Sequence, residues 1–355
     1  MAIRDARAVD VLIVSLGSTE GLRRADEELH KSLVRAGARV AIARARAPAP
    51  TRTLMLTDLA WALAARRAAE RALRELPSPP RAIVYSSTTA ALLWPRVGAI
   101  RFDATAAGNR PGRHGLWQRP LERRRLGEAP LLLPWSEGAL AEAPQAARKG
   151  DRALVLPVPV EPSGPPEAVR DIAAITYAAN PVKKGLDRVL AAWRSVRSGL
   201  VSEGAIDTAA ALVVAGTSAR ELELAGFGIA GEQGVRVVGA LPAREYRALV
   251  RRARVFVCAP RREDYGIAQL EALADGCLLV TTPAPGPYAA LPIARELDAR
   301  LVGEDLVAAL RAALVDPAVD HAVRAGRALA PFGRAAVDRV VAERLLARLL
   351  SRSSG

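Results

Sequence analysis

The stretch RREDYGIAQLEALADG, residues 261–276, lies where a short apolar segment, RVFVCAP, gives way to a helical pattern of apolar residues. It carries a carboxylate on each side of a glycine: Glu263 precedes the turn at Gly266, and Glu271 falls inside the helix. A strand that leads directly into a helix is the repeating unit of parallel α/β sheets. This stretch therefore predicts an α/β fold, and it raises the question of why an acid stands on both sides of the turn.

The same alternation of strand and helix runs along most of the 355 residues. A chain of this length accommodates two domains. The proline-rich segment LPVPVEPSGPPEAV, residues 156–169, is the best candidate for the linker between them. Five short apolar runs precede it and five follow it: VLIVSL, ARVAIAR, RAIVYSS, GAIRFDA and APLLLPWS, then DIAAITYA, AALVVAG, VRVVG, RVFVCAP and CLLVTTP. We predict two Rossmann-like α/β domains, residues 1–158 and 159–330, that face each other across a cleft.

Two helix boundaries and one further helix are also predicted. The first helix ends at Gly37, a plausible C-terminal glycine. The long pattern LTDLAWALAARRAAERALREL begins at Thr57 or Asp58 as its cap. The tail, FGRAAVDRVVAERLLARLLSR within residues 331–355, is interpreted as a single amphipathic helix.

The formal charge of +14 is concentrated in the first half of the chain. Residues 1–150 contain 25 Lys and Arg against 14 Asp and Glu, a net of +11. Such a surface attracts phosphate, nucleic acid, acidic lipid head groups or an anionic substrate, although an arginine-rich solvated surface without a partner is an equally simple interpretation. No nucleic acid is expected as a partner, because no nucleic-acid-binding motif occurs and the basic residues are spread over several elements.

The two cysteines, Cys258 and Cys277, both stand in apolar runs and have neither metal-ligand spacing nor a disulfide framework. We predict two buried, reduced thiols and no metal site. No apolar stretch approaches the ~20 residues of a membrane span. The N-terminal apolar run is too short for a signal peptide and holds Asp10. The expected location is therefore cytoplasmic, or peripheral at a membrane.

Ligands of parallel sheets bind beyond the carboxyl ends of the strands, so the residues after each strand are the candidates for a site. Gly17 and Gly21 follow the first strand, where they form either an anion-binding loop or an ordinary tight turn. Lys183 and Lys184 stand before Gly185 at the start of a helix. A cation there is unfavourable unless an anion is nearby, which suggests a bound anion over two solvated lysines.

The turn of the opening stretch offers two kinds of ligand contact. Gly266 lets a ligand approach the backbone, where the N–H groups of Tyr265, Gly266 and Ile267 suit a phosphate. Glu263 is expected to point into the cleft, and Asp264 to cap the helix.

Glu271 lies about one turn deeper in the same helix, where its carboxylate can accept hydrogen bonds from a vicinal diol; alternatively it is a surface residue of an amphipathic helix. Acceptors for hydroxyl groups beside donors for phosphate together suggest a sugar nucleotide.

Three blocks of sequence resemble a known family. REDYGIAQLEALADGCLLVTT resembles the Glu-x7-Glu motif of retaining glycosyltransferases of the GT-B fold, the family-four type or glycosyl transferases group 1. NPVKKGLDRVLAAW is similar to that family's Lys-Gly-Leu-Asp segment, and VRVVGALPAREYRALVRRARVFVCAP to the stretch before the motif. Their order and spacing also agree, and together they cover roughly residues 175–283. The N-terminal half resembles the family only in its layout.

The resemblance implies a retaining, metal-independent transfer of a sugar from a nucleotide-sugar donor to an acceptor held by the N-terminal domain, with no cofactor. It also implies a C-terminal helix that crosses back to the N-terminal domain. Glu263 would contact the donor sugar, Lys184 would neutralise the diphosphate, and Glu271 would bind the ribose. Further donor contacts are implied for Gly17, Lys183, Gly239, Leu241, Asp264, Tyr265, Gly266 and Ile267, with the base near residues 239–242.

The chain departs from the family pattern at two positions. Ala179 stands where an Arg is usual. Either another Arg or Lys compensates, with Lys183 the nearest, or the diphosphate is bound less tightly. Asp103 stands where many members have a His, and we expect it to take the acceptor-positioning role. The predicted catalytic residues are thus Glu263, Asp103 and Lys184. The acceptor, which is anionic or lipid-linked in this interpretation, would contact Arg110, Arg113, His114 and Trp117, and an acidic membrane surface is a candidate partner.

Two other classes of function stay open at this stage. One is a non-enzymatic protein that binds nucleic acid or another polyanion. The other is a different GT-B enzyme, such as a sugar-nucleotide epimerase or a phosphorylase; no lysine able to carry pyridoxal phosphate can be identified for the latter.

Overall fold

A computed structural model describes residues 8–148, 150–165, 167, 169–229 and 231–351. The chain forms two compact units. One comprises the residues up to Pro159 together with those from Phe332 onward, and the other is Val160–Pro331. Each unit contains a five-stranded parallel sheet with helices between the strands, which confirms the predicted α/β class with two sheets.

The sheet of the first unit has the order β2-β1-β3-β4-β5. All four strand pairs are parallel. The strands are β1 (Val11–Ser15), β2 (Val40–Arg44), β3 (Ala82–Tyr85), β4 (Ala99–Phe102) and β5 (Leu132–Pro134). Helices of this unit are α1 (Glu20–Arg35), α2 (Leu54–Glu75), α3 (Thr88–Ala91), α4 (Ala106–Asn109), α5 (Gln118–Glu128), α6 (Glu137–Glu142) and α7 (Gln145–Arg148), with 3-10 turns at Gly112–Gly115 and Gly150–Arg152.

The sheet of the second unit has the order β10-β9-β6-β7-β8, again with parallel pairs. The strands are β6 (Ile172–Tyr177), β7 (Leu212–Ala215), β8 (Val235–Gly239), β9 (Ala253–Cys258) and β10 (Leu278–Thr281). The helices are α8 (Leu186–Ser202), α9 (Ala219–Leu224), α10 (Ala243–Arg252), α11 (Ile267–Ala274), α12 (Ala290–Leu297), α13 (Leu306–Val315) and α14 (His321–Ala328), with 3-10 turns at Ala299–Leu301 and Ala330–Phe332.

Apolar clusters cover both faces of the first sheet. Successive residues of a strand point to opposite faces, so neighbouring residues of β1 belong to different clusters. Leu12 and Val14 belong to one apolar cluster, which also contains residues of α2. Val11 and Ile13 belong to the other, which contains residues of α1 and of the C-terminal segment. Such two-sided burial explains why the inner strands β1 and β3 are apolar runs without alternation.

The C-terminal segment packs within the first unit. It runs as α15 (Arg334–Val340), a π-helical turn at Val341–Leu345 and α16 (Leu346–Ser351), where a single regular helix was expected. The buried residues Val337, Val341, Leu345 and Leu349 line its inner side. Asp338 accepts a hydrogen bond from Ser32 Oγ of α1 (2.6 Å) and forms an ion pair with Arg35 (2.7 Å).

Two helix boundaries test the local predictions. Gly37 follows α1 with a φ of +91°, as expected of a C-terminal glycine. The predicted cap of α2 is wrong, because the helix begins one turn earlier with Thr53 as its cap. Asp58 is instead buried inside α2, where it forms a bidentate ion pair with Arg110 at 2.6 and 2.9 Å. A carboxylate that satisfies a partner far along the chain leaves no local signal of that role.

Candidate active site

The central strands β6 and β9 of the second unit are neighbours whose connections leave toward opposite edges of the sheet, from β6 to β7 and from β9 to β10. Such a switch point leaves a crevice at the carboxyl ends of the two strands. Residues 180–185 follow β6, and residues 261–266 follow β9. The two loops touch directly, since the Arg261 N–H donates to the Lys183 carbonyl at 2.9 Å.

Two ion pairs join these loops through residues predicted for the donor site. Lys184 Nζ lies 2.6 Å from Glu263 Oε2, and Lys183 Nζ lies 2.8 Å from Asp264 Oδ2. The structure therefore brings all four side chains together. The positive charges of the two lysines at the start of α8 are thus compensated by Glu263 and Asp264. These carboxylates are the anions that a cation at a helix N-terminus requires.

Glu263 is almost fully buried, with 5% of its surface exposed. Besides Lys184, Gln269 Nε2 donates to Glu263 Oε2 at 3.0 Å, and the Glu263 N–H donates to the Pro285 carbonyl. Gln269 is itself buried and also contacts Cys258 Sγ at 3.6 Å. The role of Gln269 was not found from the sequence, where the only signal is an amide in a helix whose other residues, apart from Glu271, are apolar.

Two glycines with positive φ shape the loops. Gly266 (φ +90°) is the cap of α11, and a Cβ there would lie 2.8 Å from the Tyr288 ring. Gly185 (φ +64°) is the cap of α8, and a Cβ there would lie 1.8 Å from the Ala259 carbonyl oxygen. Another residue at either position would be strained by the positive φ and would have to displace the Tyr288 ring or the Ala259 backbone. Both helices thus begin at the crevice, where first-turn N–H groups have no partner inside the helix.

Asp264 does not cap α11, contrary to the prediction, because Gly266 occupies the cap position and no side chain bonds to the first turn there. Asp264 pairs with Lys183 and with Arg262 Nε, each at 2.8 Å. Burial of its carboxyl group opposes ionisation, yet the nearby charges of Lys183 and Arg262 hold the pKa of Asp264 below its usual value. The side chain thus adds a negative charge to the loop. Tyr265 is buried and Ile267 is the first residue of α11.

Glu271 is buried, with 4% of its surface exposed, so the alternative of a surface residue is wrong. Its Oε1 lies 3.1 Å from Arg247 Nη1 of α10. Arg247 Nε also lies 2.6 Å from Asp275 Oδ2. The sequence did not reveal this cluster; its local signal was two acids, Glu271 and Asp275, inside the apolar run LEALADGCLLV.

The remaining donor-site candidates lie at other strand ends. Gly239 (φ +78°) closes β8, an edge strand of the second sheet, and Leu241 follows it just before α10. Gly17 (φ +58°) follows β1 in the first unit, and its carbonyl accepts a hydrogen bond from Arg23 Nη1 at 2.9 Å. Leu16 beside it donates its N–H to Ser86 Oγ, which joins the ends of the neighbouring strands β1 and β3.

The predicted acceptor residues also lie after strands of the first unit. Asp103 follows β4, is half-buried and accepts the Ala104 N–H at 2.9 Å. Arg110 is held by Asp58, so its guanidinium is less available for a ligand than predicted. Arg113 and His114 are exposed in the 3-10 turn Gly112–Gly115, and Trp117 is half-buried at the start of α5.

The cysteines, the possible metal ligands and the apolar character of the helices bear on metal binding and on membranes. Cys258 and Cys277 are buried free thiols, as predicted. Across the described ranges, no three His, Cys, Asp or Glu side chains are grouped so that they could hold a metal ion. In the same part of the chain, no helix combines the length and the apolar character needed to cross a bilayer.

Comparison with known proteins agrees with this geometry. Residues 171–316 match the family described as glycosyl transferases group 1. The chain therefore has a glycosyl transferases group 1 region that contains both loops and both motif glutamates, which confirms the resemblance inferred from the sequence blocks. A comparison with curated protein sequences gives no match.

Solved structures similar to the whole chain have the GT-B glycosyltransferase fold. Sucrose-phosphate synthase from Thermosynechococcus elongatus superimposes with a TM-score of 0.71 and 15% identity, covering 98% of this chain and 100% of that one. WaaG, a glycosyltransferase involved in lipopolysaccharide biosynthesis, gives 0.67 and 16%, covering 97% and 98%. HepE from Anabaena, in complex with UDP and glucose, gives 0.65 and 13%, covering 95% and 99%. At these identities the likeness shows the fold alone.

Proposed function

We propose that this protein is a retaining glycosyltransferase that moves a sugar from a nucleotide-sugar donor, without a metal or other cofactor. One observation carries the proposal: Lys184 and Glu263 meet at 2.6 Å at the switch point of the second sheet, beside the start of α11. An ammonium group has three donors, so Lys184 can bond to Glu263 and to a phosphate oxygen together. Glu263 supplies an acceptor for sugar hydroxyl groups.

The reaction needs stabilisation of the leaving diphosphate. In this proposal the Lys184 charge and the N-terminal ends of α8 and α11 provide it, since both are fixed before the substrate arrives. Glu271 accepts hydrogen bonds from the ribose, and Gly239 and Leu241 lie near the base. Two relatives support the donor class: HepE is solved with UDP and glucose, and a trehalose-6-phosphate protein from E. coli with UDP-2-fluoro glucose.

A panel of nucleotide sugars and nucleoside diphosphates tests the donor. A ligand at 100 times its Kd adds about 2.7 kcal/mol to the free energy of unfolding, so the matching donor should raise the Tm clearly. Glu263→Gln, which is expected to reduce turnover, is compared with Glu296→Gln as a matched control, because Glu296 is an exposed glutamate of α12. Retention is then read from the anomeric configuration of the product by NMR. Absence of a Tm shift with every member of the panel would refute the proposal, and an inverted product would refute retention.

We propose that the first unit holds the acceptor, with Asp103 positioning it, and that the acceptor is anionic or lipid-linked. The supporting features are exposed apolar and basic residues at the start of α2 and around the 3-10 turn Gly112–Gly115, an element that contacts α2. Leu54, Leu56 and Leu116 are 49%, 50% and 59% exposed, and Arg52 and Arg113 are exposed beside them in the chain. We name these five residues the α2 surface.

The arginine run 123–125 is less suited to this role. Arg124 and Arg125 both pair with Glu128, and the Arg125 guanidinium lies 5.0 Å from the centre of the Trp94 ring. In this proposal the α2 surface attaches the protein reversibly to an acidic membrane from the cytoplasmic side. Each basic residue near anionic lipid contributes ~1 kcal/mol, and the leucines can enter the interface.

Co-sedimentation with phosphatidylcholine vesicles, with and without phosphatidylglycerol, tests this attachment. Binding should require the acidic lipid, weaken with salt, and be lost in Arg52→Gln/Arg113→Gln and in Leu54→Ser/Leu56→Ser. The controls are Arg123→Gln, another exposed arginine of the first unit, and Leu224→Ser, an 80% exposed leucine of the second unit. Equal binding by all variants would exclude the α2 surface as the attachment site. No binding by the wild type would leave a soluble enzyme with a small acceptor.

A further inference from the structure

Three charged side chains are buried together in the second unit. Arg247 on α10 faces Glu271 and Asp275, which lie four residues apart at the end of α11. Their exposed side-chain fractions are 7%, 6% and 0%. The group carries one net negative charge. Burial of three charges is costly, and removal of one partner from such a group is more costly still, so their placement requires a reason.

The guanidinium of Arg247 is held on three sides. Its Nε donates to Asp275 Oδ2 at 2.6 Å, its Nη2 donates to the Glu161 carbonyl at 2.9 Å, and its Nη1 lies 3.1 Å from Glu271 Oε1. Asp275 is held in turn by Ser163, whose N–H and Oγ donate to it at 2.7 and 3.0 Å. A planar, rigid donor set held in this way fixes the position of whatever carboxylate meets its remaining nitrogen.

We propose that Arg247 is a positioning residue that sets the orientation of Glu271 for the ribose of the donor, and that Asp275 holds Arg247 in place. This inference rests on the proposed function and adds to it a determinant of specificity. A carboxylate bonds both hydroxyl groups of a vicinal diol only when its plane is correctly oriented. Loss of Arg247 therefore weakens recognition of the diol, while recognition of the diphosphate, which uses Lys184 and the helix ends, is unaffected.

The experiment compares two ligands on each variant. The first is whichever of ADP, CDP, GDP and UDP binds the wild type best, and the second is its 2′,3′-dideoxy counterpart. The measured quantity is the ratio of their Kd values by calorimetry. We expect the wild type to prefer the ribose form by about tenfold or more, as for hydrogen bonds to a charged group. Arg247→Met should bring the ratio close to one with an unchanged Kd for the dideoxy ligand, and Arg247→Lys should restore part of the preference.

Arg251→Met is the matched control. Arg251 lies one turn further along α10 and also touches Ser163 (2.8 Å), but it pairs with Glu167. The ratio should stay at the wild-type value in this variant. If Arg247→Met does not fold, Arg247→Met/Asp275→Leu removes the stranded charge of Asp275 and allows the same measurement.

The outcomes separate this inference from the proposed function. Wild-type preference in folded Arg247 variants, or equal losses for both ligands, would overturn the positioning role and leave the donor class intact. Failure of the wild type to bind any of the four nucleoside diphosphates would overturn the proposed function and this inference with it.

Discussion

At the scale of single residues, the buried state of Glu263 changes how its role must be tested. An alanine there would leave Lys184 and Gln269 without their acceptor, so loss of activity could reflect loss of structure. Glu263→Gln keeps the shape and one acceptor oxygen. We expect turnover to fall about 100-fold, the scale of a lost electrostatic contact in a transition state, with only a small decrease in Tm. Wild-type turnover in this variant would remove Glu263 from the reaction.

The two lysines should differ in their effect on the diphosphate. Lys184 is 21% exposed and pairs with a carboxylate that is 6% exposed, whereas Lys183 is 43% exposed. A charge in the less solvated position acts more strongly, because water screens it less. Lys184→Met should therefore weaken nucleoside diphosphate binding about tenfold or more, and Lys183→Met by a smaller factor, while nucleoside affinity changes little in both.

Calorimetric titration with the diphosphate and with the nucleoside checks this difference. Equal losses from the two substitutions would indicate a diffuse basic patch. Greater loss from Lys183→Met would mean that this lysine replaces the arginine absent at position 179.

At the scale of elements, the contact between α5 and the start of α4 should make stability depend on pH. Glu122 of α5 is buried and accepts the Ala106 N–H at 2.8 Å. Burial raises the pKa of Glu122 to about 7. The folded protein therefore binds this proton more tightly than the unfolded chain, where a glutamate titrates near 4.3. The free energy of unfolding should fall as pH rises from about 4.5 to about 7.

Glu122→Gln removes this titration. Relative to the wild type, it should gain on the order of 2 kcal/mol between pH 5 and pH 8. Urea unfolding followed by tryptophan fluorescence measures it, since four of the five tryptophans, Trp61, Trp94, Trp117 and Trp135, belong to the first unit. Asp26 in the same unit, whose pKa burial raises to about 6, should retain part of the slope. Exposed Glu75→Gln is the control, and the same slope in both variants would contradict the assignment.

At the scale of the whole molecule, the C-terminal segment, residues 334–351, belongs to the first unit, although the second unit separates the two in the sequence. Val337, Val341, Leu345 and Leu349 join an apolar cluster with β1 and α1. A chain that ends at Pro331 would expose this cluster, and each buried aliphatic side chain is worth ~1.5–3 kcal/mol. We expect such a truncation to unfold or aggregate the first unit.

Nucleoside diphosphate binding by the second unit should survive this truncation. Differential scanning calorimetry and ligand titration together measure both effects. Asp338→Ala, which removes only the contacts with Ser32 and Arg35, should lower the Tm of the first unit by much less. An unchanged transition in the truncated chain would show that the segment adds nothing to the unit.

The sequence by itself determined the strands, the fold class and the loops that carry the candidate site. Ten apolar runs became ten strands. For the inner strands the reason is local, because burial on both faces of a parallel sheet demands continuous apolar residues. The turns at Gly37, Gly185 and Gly266 are also indicated locally. Each of these glycines has a positive φ, and the neighbouring residues already mark a turn there.

Only the tertiary structure decided the partners of the charged side chains. The pairs Arg110–Asp58, Lys183–Asp264 and Arg247–Glu271 join residues 52, 81 and 24 positions apart. The strand order that places β6 beside β9, and so brings their loops together, is also a property of the packed sheet. The physical reason is the same in each case: a buried charge must find a partner within a few ångströms, and the folded chain, not sequence proximity, decides which residue lies there.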